Sequence, residues 1–167
     1  GKGGAEEYAV KMRRLPPDAM MDALLARNRV TSRMVADVAK TVANFHRRAA
    51  TSEEISNTGG IEAVIRNTQE NFAQTDKYFN IIIAPETYRR IKTYTEDFIK
   101  TNTPLFHKRM AEGRVRDCHG DLHAAHICFY NNGICISDCI EFIDRLRYTD
   151  VAAEVAFLAM DLDNYVR

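Results

Sequence analysis

The sequence predicts an α+β fold that is mostly helical, with a small β-hairpin carrying its reactive loop. Three observations lead there. Apolar residues recur at helical spacing through the N-terminal two thirds of the chain, as in Val35, Val38, Val42 and Phe45. Further on, Ile127-Cys128-Phe129-Tyr130 and Ile134-Cys135-Ile136-Ser137 flank Asn131-Asn132-Gly133, with Asn-Gly in the positive-φ positions of a tight hairpin. Third, three of the five histidines and two of the four cysteines fall between Cys118 and Cys128, beside Asp121.

Taken in order, Gly1-Lys2-Gly3-Gly4 lacks the Gly-x-x-x-x-Gly-Lys-Ser/Thr pattern and is no phosphate-binding loop. Tyr8–Met12 alternates as a strand would and runs into Arg13-Arg14-Leu15-Pro16-Pro17. Asp18–Arg27 reads as a short helix after the double proline, with Met20, Met21, Leu24 and Leu25 as its apolar side. A second helix starts near Thr31 or Ser32, either of which can cap it, and buries Val35, Val38, Val42, Phe45 and Ala49. His46 beside that stripe is expected to be a hydrogen-bonded histidine at the edge of the core.

Thr51-Ser52-Glu53-Glu54 fits a capping box, and Gly59-Gly60 punctuates before a helix over 61–78 with Ile61, Val64, Ile65 and Phe72 inward. After a short apolar link at 80–84, Pro85 opens a long helix, which Pro104 should kink or divide near Thr103. The acidic residues Glu70, Glu86, Glu96 and Asp97 can face a cationic ligand or simply water. Arg114–Cys118 reads as a strand leading into the loop. Val151–Leu162 is nearly all apolar and should be a buried helix; Glu154 inside it needs a partner, and Arg145 or Arg147 is expected to supply it.

The 167 residues suit one domain with a proper core. Twenty-three basic residues balance 23 acidic ones, which argues against a dedicated nucleic-acid surface. No apolar run has the length of a membrane span, and no signal-peptide core stands at the N-terminus. The cysteines at 118, 128, 135 and 139 are clustered without a secreted disulfide framework, so reduced thiols in a cytoplasmic protein are expected.

The chemistry concentrates in Cys118-His119-Gly120-Asp121-Leu122-His123-Ala124-Ala125-His126-Ile127. An isolated His-Gly-Asp is commonly a turn, with Gly taking an unusual backbone angle. Here a polar side chain, His126, follows five residues past Asp121, and Asp138 follows the hairpin. Phosphotransferases use this layout: an Asp accepts the hydroxyl proton, and a side chain five positions on and a second Asp hold the metal. The chemistry needs it because phosphoryl transfer is mostly positioning and charge neutralisation. Zinc is the alternative, with Cys118, His119, His123, His126 and Cys128 all available as ligands, although there is no Cys-x-x-Cys.

The segment 114–163 resembles the core of the aminoglycoside-phosphotransferase-like (choline-kinase-like) family. It is closest to a branch whose members are often fused to a P-loop ATP-binding domain. The residues that carry the likeness are the RVRDCHGDLHAAHI run, SDCIEF at 137–142, DRLRYTD at 144–150 and EVAFLAMDLD at 154–163. It extends upstream through YAVKMRRLP at 8–16 and VANFHRRA, and so covers nearly all of the chain.

The resemblance implies a protein-kinase-like helical C-lobe over 17–167, preceded at 1–16 by the last N-lobe strand and the hinge, with most of the N-lobe absent. Lys11 of Ala-Val-Lys is not the phosphate-gripping lysine, since no further strands separate it from the VANFH helix. The implied activity is ATP-dependent transfer to the hydroxyl of a small molecule, with Mg²⁺. The implied catalytic loop pairs Asp121, the base, with His119, its structural companion. Asp138 and His126 would hold the metal, Met12, Arg13 and Arg14 would meet the adenine, and Asp150 and Arg145 would support the loop. His126 stands where an Asn is usual, and imidazole ligates Mg²⁺ poorly because that ion prefers oxygen. A non-catalytic kinase-like module is therefore the second reading. The candidate protein partners are a fused P-loop domain and a second copy of the chain over its bare apolar face.

Overall fold

The computed structural model of the chain describes residues 11–78 and 81–165. Its architecture is α+β: helices α1 (Met21–Ala26), α2 (Ser32–Arg48), α3 (Glu53–Thr58), α4 (Ile61–Thr75) and α5 (Pro85–Ala111) come first. Strand β1 (Val115–Asp117), the hairpin β2 (Ile127–Tyr130) and β3 (Gly133–Ile136), helix α6 (Asp144–Arg147), β4 (Tyr148–Asp150) and α7 (Val151–Asp163) follow. Two separate two-stranded antiparallel sheets form, β1 with β4 and β2 with β3.

Local chemistry sets most boundaries. The Thr31 hydroxyl accepts from Met34 N–H to cap α2, and Ser52 accepts from Ile55 N–H to cap α3. The cap of α3 is thus Ser52 itself, one residue later than a Thr51–Glu54 box requires. Thr51 instead donates to the Val115 carbonyl at 2.9 Å and ties α3's approach to β1. The hairpin closes through Asn131 and Asn132, whose φ angles of 50° and 58° place both in the left-handed region, so Gly133 already belongs to β3 and pairs with Tyr130.

The core is formed by Met21, Val38, Val42, Leu122, Ala124, Ile127 and Leu158. From α2 it takes Val38, Val42 and His46, while Val35 and Phe45 stay about two-fifths exposed, at 40% and 38%. Of the kink or division expected at Pro104, division does not occur: α5 runs undivided, because proline removes one helical bond without removing those on either side. One further expectation is corrected. α7 is not buried all round: Glu154 and Leu158 face inward, while Val155, Phe157 and Met160 are largely exposed. Lys11–Pro16 adopt no regular element, and most of the strand expected at 8–12 lies outside the described residues. No helix among the described residues is long and apolar enough to cross a membrane.

Candidate functional site

The loop between β1 and β2 is held by its backbone. Gly120 takes φ +85°, and a Cβ there would lie 3.0 Å from the Leu146 carbonyl oxygen and 3.2 Å from Arg147 Cα, so any other residue would be both strained and crowded. The amides of His119 and Gly120 each donate to Glu154 Oε1 at 2.7 Å, and His46 Nε2 meets Glu154 Oε2 at 2.6 Å. Seven residues along α7, two turns on the same face, Asp161 Oδ2 accepts from Ala124 N–H at 2.7 Å. The loop is therefore fastened to α7 at two points, and α7 in turn to α2 at one.

Glu154's partners differ from the arginines expected of it. Arg145 reaches instead to Asn67 Oδ1 and Glu70 Oε2 of α4, at 3.1 and 2.9 Å, which also engages Glu70. Arg147 pairs with Asp117 at 2.7 Å, off the axis of a hydrogen bond, and with Asp144 at 3.0 Å. Both arginines are thus paired elsewhere, and the loop amides and His46 satisfy Glu154 instead. His46 fulfils the expectation of a hydrogen-bonded histidine at the core.

Asp150, expected to brace the loop, sits at the start of α7. It caps α7 by accepting from Ala152 N–H at 2.8 Å and takes Arg109 of α5 in a bidentate pair at 2.5 and 2.7 Å. The Arg109 guanidinium is held charged more firmly than usual by that carboxylate.

Three imidazoles surround Asp121. His119 is buried; its Nδ1 accepts from Asp121 N–H at 3.3 Å and its Nε2 faces the Ser137 carbonyl at 2.9 Å. A carbonyl only accepts, so Nε2 carries the proton, and both ring nitrogens are occupied in positioning Asp121 and the end of β3. His126 Nδ1 likewise lies 3.0 Å from the Asp121 carbonyl oxygen and donates to it. Its Nε2 then faces Asp138 Oδ2 at 3.3 Å. Asp121 Oδ2 stands 3.9 Å from His126 Nδ1 and 3.6 Å from His123 Nε2. The His123 and His126 rings are in contact, with centroids 3.9 Å apart.

Asp121 and Asp138 thus sit against opposite edges of one imidazole. Asp138 takes φ +66°, a left-handed conformation that Asp tolerates better than most residues, just after the hairpin. Its side chain is mostly exposed, and that of Asp121 is partly so, at 82% and 41%. The three residues singled out from the loop and hairpin spacing, 121, 126 and 138, lie next to one another. The zinc set with Cys118 and Cys128 does not come together around Asp121. Both thiols are buried; burial, with Glu154 adding to it, pushes Cys118 up to about 12 and leaves it a poor nucleophile or ligand.

A cleft of about 440 Å³ opens behind the loop, lined by Val42, Phe45, Cys118, His119 and Leu122 among others. It lies on the far side of His119, with neither Asp121 nor Asp138 in its walls. Met12, Arg13 and Arg14 are exposed. Sequence reasoning missed Asp161 and the loop-anchoring role of Glu154. Their signal was there, as acids seven apart on one face of an apolar helix.

Three relatives match over nearly the whole chain, two of them from strains of one species. Uncharacterized proteins of Mycobacterium tuberculosis and Mycobacterium bovis are each 32% identical over 161 residues, which cover 96% of this chain and 32% of theirs. The chain therefore spans about a third of the length of the curated relatives it matches. No family model matches the sequence. No solved structure matches the fold.

Proposed function

We propose that this chain is the kinase-like helical lobe of an ATP-dependent phosphotransferase of the aminoglycoside-phosphotransferase-like family, acting on a hydroxyl of a small molecule. The observation that carries the reading is the placement of the Asp121 and Asp138 carboxylates on two edges of His126, at 3.9 and 3.3 Å. A loop whose backbone is fastened before any ligand arrives suits chemistry that is mostly positioning.

In this reading Asp121 Oδ2 takes the proton of the acceptor hydroxyl, whose oxygen attacks the γ-phosphorus of ATP in line as the bond to the bridging oxygen breaks and ADP leaves. His119 and His126 hold Asp121 by its amide and carbonyl, leaving the carboxylate free to turn toward the acceptor. Bound ATP supplies the phosphoryl group, and Met12–Arg14 form the segment proposed to meet its adenine. Asp138 offers the oxygen donor Mg²⁺ prefers, whereas the His126 imidazole does not fit that ion. Four free thiols, at Cys118, Cys128, Cys135 and Cys139, support a reducing, cytoplasmic setting.

The second reading is a non-catalytic kinase-like module, favoured by the imidazole at 126. Transfer from radiolabelled ATP to a panel of hydroxyl compounds, with nucleotide binding measured alongside, tests both. Asp121→Asn is expected to reduce transfer by about 100-fold or more while nucleotide binding persists. Undiminished turnover in that variant removes the assignment, and nucleotide binding without turnover in the parent chain leaves the second reading in its place.

A further inference from the structure

The hairpin that follows His126 and leads to Asp138 holds two thiols in register. Cys128 of β2 lies directly opposite Cys135 of β3. Ile127, Phe129, Ile134 and Ile136 turn to the core, so the two cysteines share the other face of the ribbon. Opposed residues of an antiparallel pair hold their Cα atoms about 4.5–5.5 Å apart, inside the span a disulfide bridges. Their Cβ atoms need approach by no more than about 1 Å to reach disulfide geometry.

The two thiols differ in access. Cys128 is fully buried and bridged to the backbone of Met20, while Cys135 is only half-buried. Burial, and then the neighbouring Cys135, pushes the Cys128 thiol up from its ordinary range. A dissolved oxidant therefore meets Cys135 first, with Cys128 waiting beside it. Cys118 is engaged elsewhere, donating to the Thr149 carbonyl at 3.5 Å, and Cys139 stands exposed beyond the hairpin.

We infer that Cys128 and Cys135 are a reversible oxidation site, closed into a cross-strand disulfide by small disulfides of the glutathione type. In the first exchange the Cys135 thiolate attacks one sulfur of the oxidant. The oxidant's S–S bond breaks, one glutathione leaves as a thiolate, and Cys135 keeps the other as a mixed disulfide. Cys128 then gives up its proton, and its sulfur attacks that of Cys135 and displaces the second glutathione. Two protein thiols are oxidised, one small disulfide is reduced to two thiols, and the two protons pass to them. Holding the two sulfurs side by side drives the second exchange in spite of burial.

The bond would lie within the ladder that reaches the candidate site. Past the Ile127–Ile136 pair, Ser137 N–H donates to the His126 carbonyl at 3.1 Å, one residue before Asp138. Closure therefore pins the ribbon that sets His126 against Asp138. The oxidation site goes beyond the proposed phosphotransfer and stands without it, since its chemistry needs only the two thiols.

The test incubates the whole folded chain, fully reduced, with oxidised glutathione and then alkylates the remaining thiols. Chymotrypsin cuts after Phe129 and Tyr130, between the two cysteines, and should release a linked Cys128–Cys135 peptide pair that dithiothreitol separates. Cys128→Ala should stop at a glutathione adduct on Cys135, and Cys135→Ser should leave Cys128 unmodified. Cys139→Ser should close as the parent does, with folding checked by circular dichroism. Hydrogen exchange of the hairpin amides should slow by about tenfold or more on oxidation.

A lasting glutathione adduct on Cys135 of the parent, a bond from either cysteine to Cys139 or to a second copy, or an unreactive Cys135 would each overturn the inference. The parent's linked peptide decides alone if a variant fails to fold. Closure with unchanged hairpin exchange would overturn the hold on the ribbon. Closure in a chain that transfers no phosphoryl group would preserve the oxidation site and remove only the proposed reaction.

Discussion

Glu154 is almost wholly buried, and its two oxygens receive two loop amides and the ring of His46. Truncation to Ala would strand both amides and an imidazole in the interior. Glu154→Ala is therefore expected to cost about 3–5 kcal/mol in urea unfolding. Glu154→Gln keeps an oxygen for the two amides and offers its NH₂ to His46, so its cost should be about 1–2 kcal/mol. Equal losses in the two variants would show that the three bonds do not act through the carboxyl oxygens. An acid among apolar neighbours announces from sequence that it must be satisfied. Which group satisfies it is decided by His46, 108 positions away, where no local pattern reaches. The same limit hid the Arg109–Asp150 pair and the Ala124–Asp161 contact. The histidines around Asp121 were legible because five-residue spacing and a hairpin are local properties.

At the scale of elements, α5 carries Pro104 without a break. The ring forfeits the bond to the Lys100 carbonyl. In the same turns Thr103 Oγ1 donates to the Ile99 carbonyl at 3.0 Å, and Asn102 Nδ2 to that of Phe98 at 2.8 Å. Pro104 is exposed, so Pro104→Ala should restore a backbone bond without disturbing packing. A stability gain of about 1–2 kcal/mol is expected, after allowance for the freer unfolded chain. A loss on thermal or chemical unfolding would mean that the proline shapes the helix for its neighbours. Element type was well expressed in the sequence: caps at Thr31 and Ser52, the Asn-rich turn and the α2 stripe all act within a few residues. The full burial expected of α7 was not, because its composition is apolar on every side and only its neighbours choose a face.

Across the whole molecule, α7 joins the two halves of the chain. Asp150 at its start holds α5 through Arg109; Glu154 holds α2 and the loop; Asp161 holds the loop again near β2. The loop that brings Asp121 forward is thus a product of the finished fold. Its two amides on Glu154 are protected only when stretches around 46, 119 and 154 have met, and closing chain segments of that length is slow and cooperative. Native-state hydrogen exchange in rising denaturant should therefore find the His119 and Gly120 amides exchanging with the global unfolding free energy, while the β2–β3 hairpin opens locally at lower cost. Exchange of those two amides through small fluctuations would reveal a loop that waits for its ligand. The rigid alternative carries an evolutionary corollary: a chain wired this way can change what it accepts at the rim, but can hardly loosen its centre and stay folded.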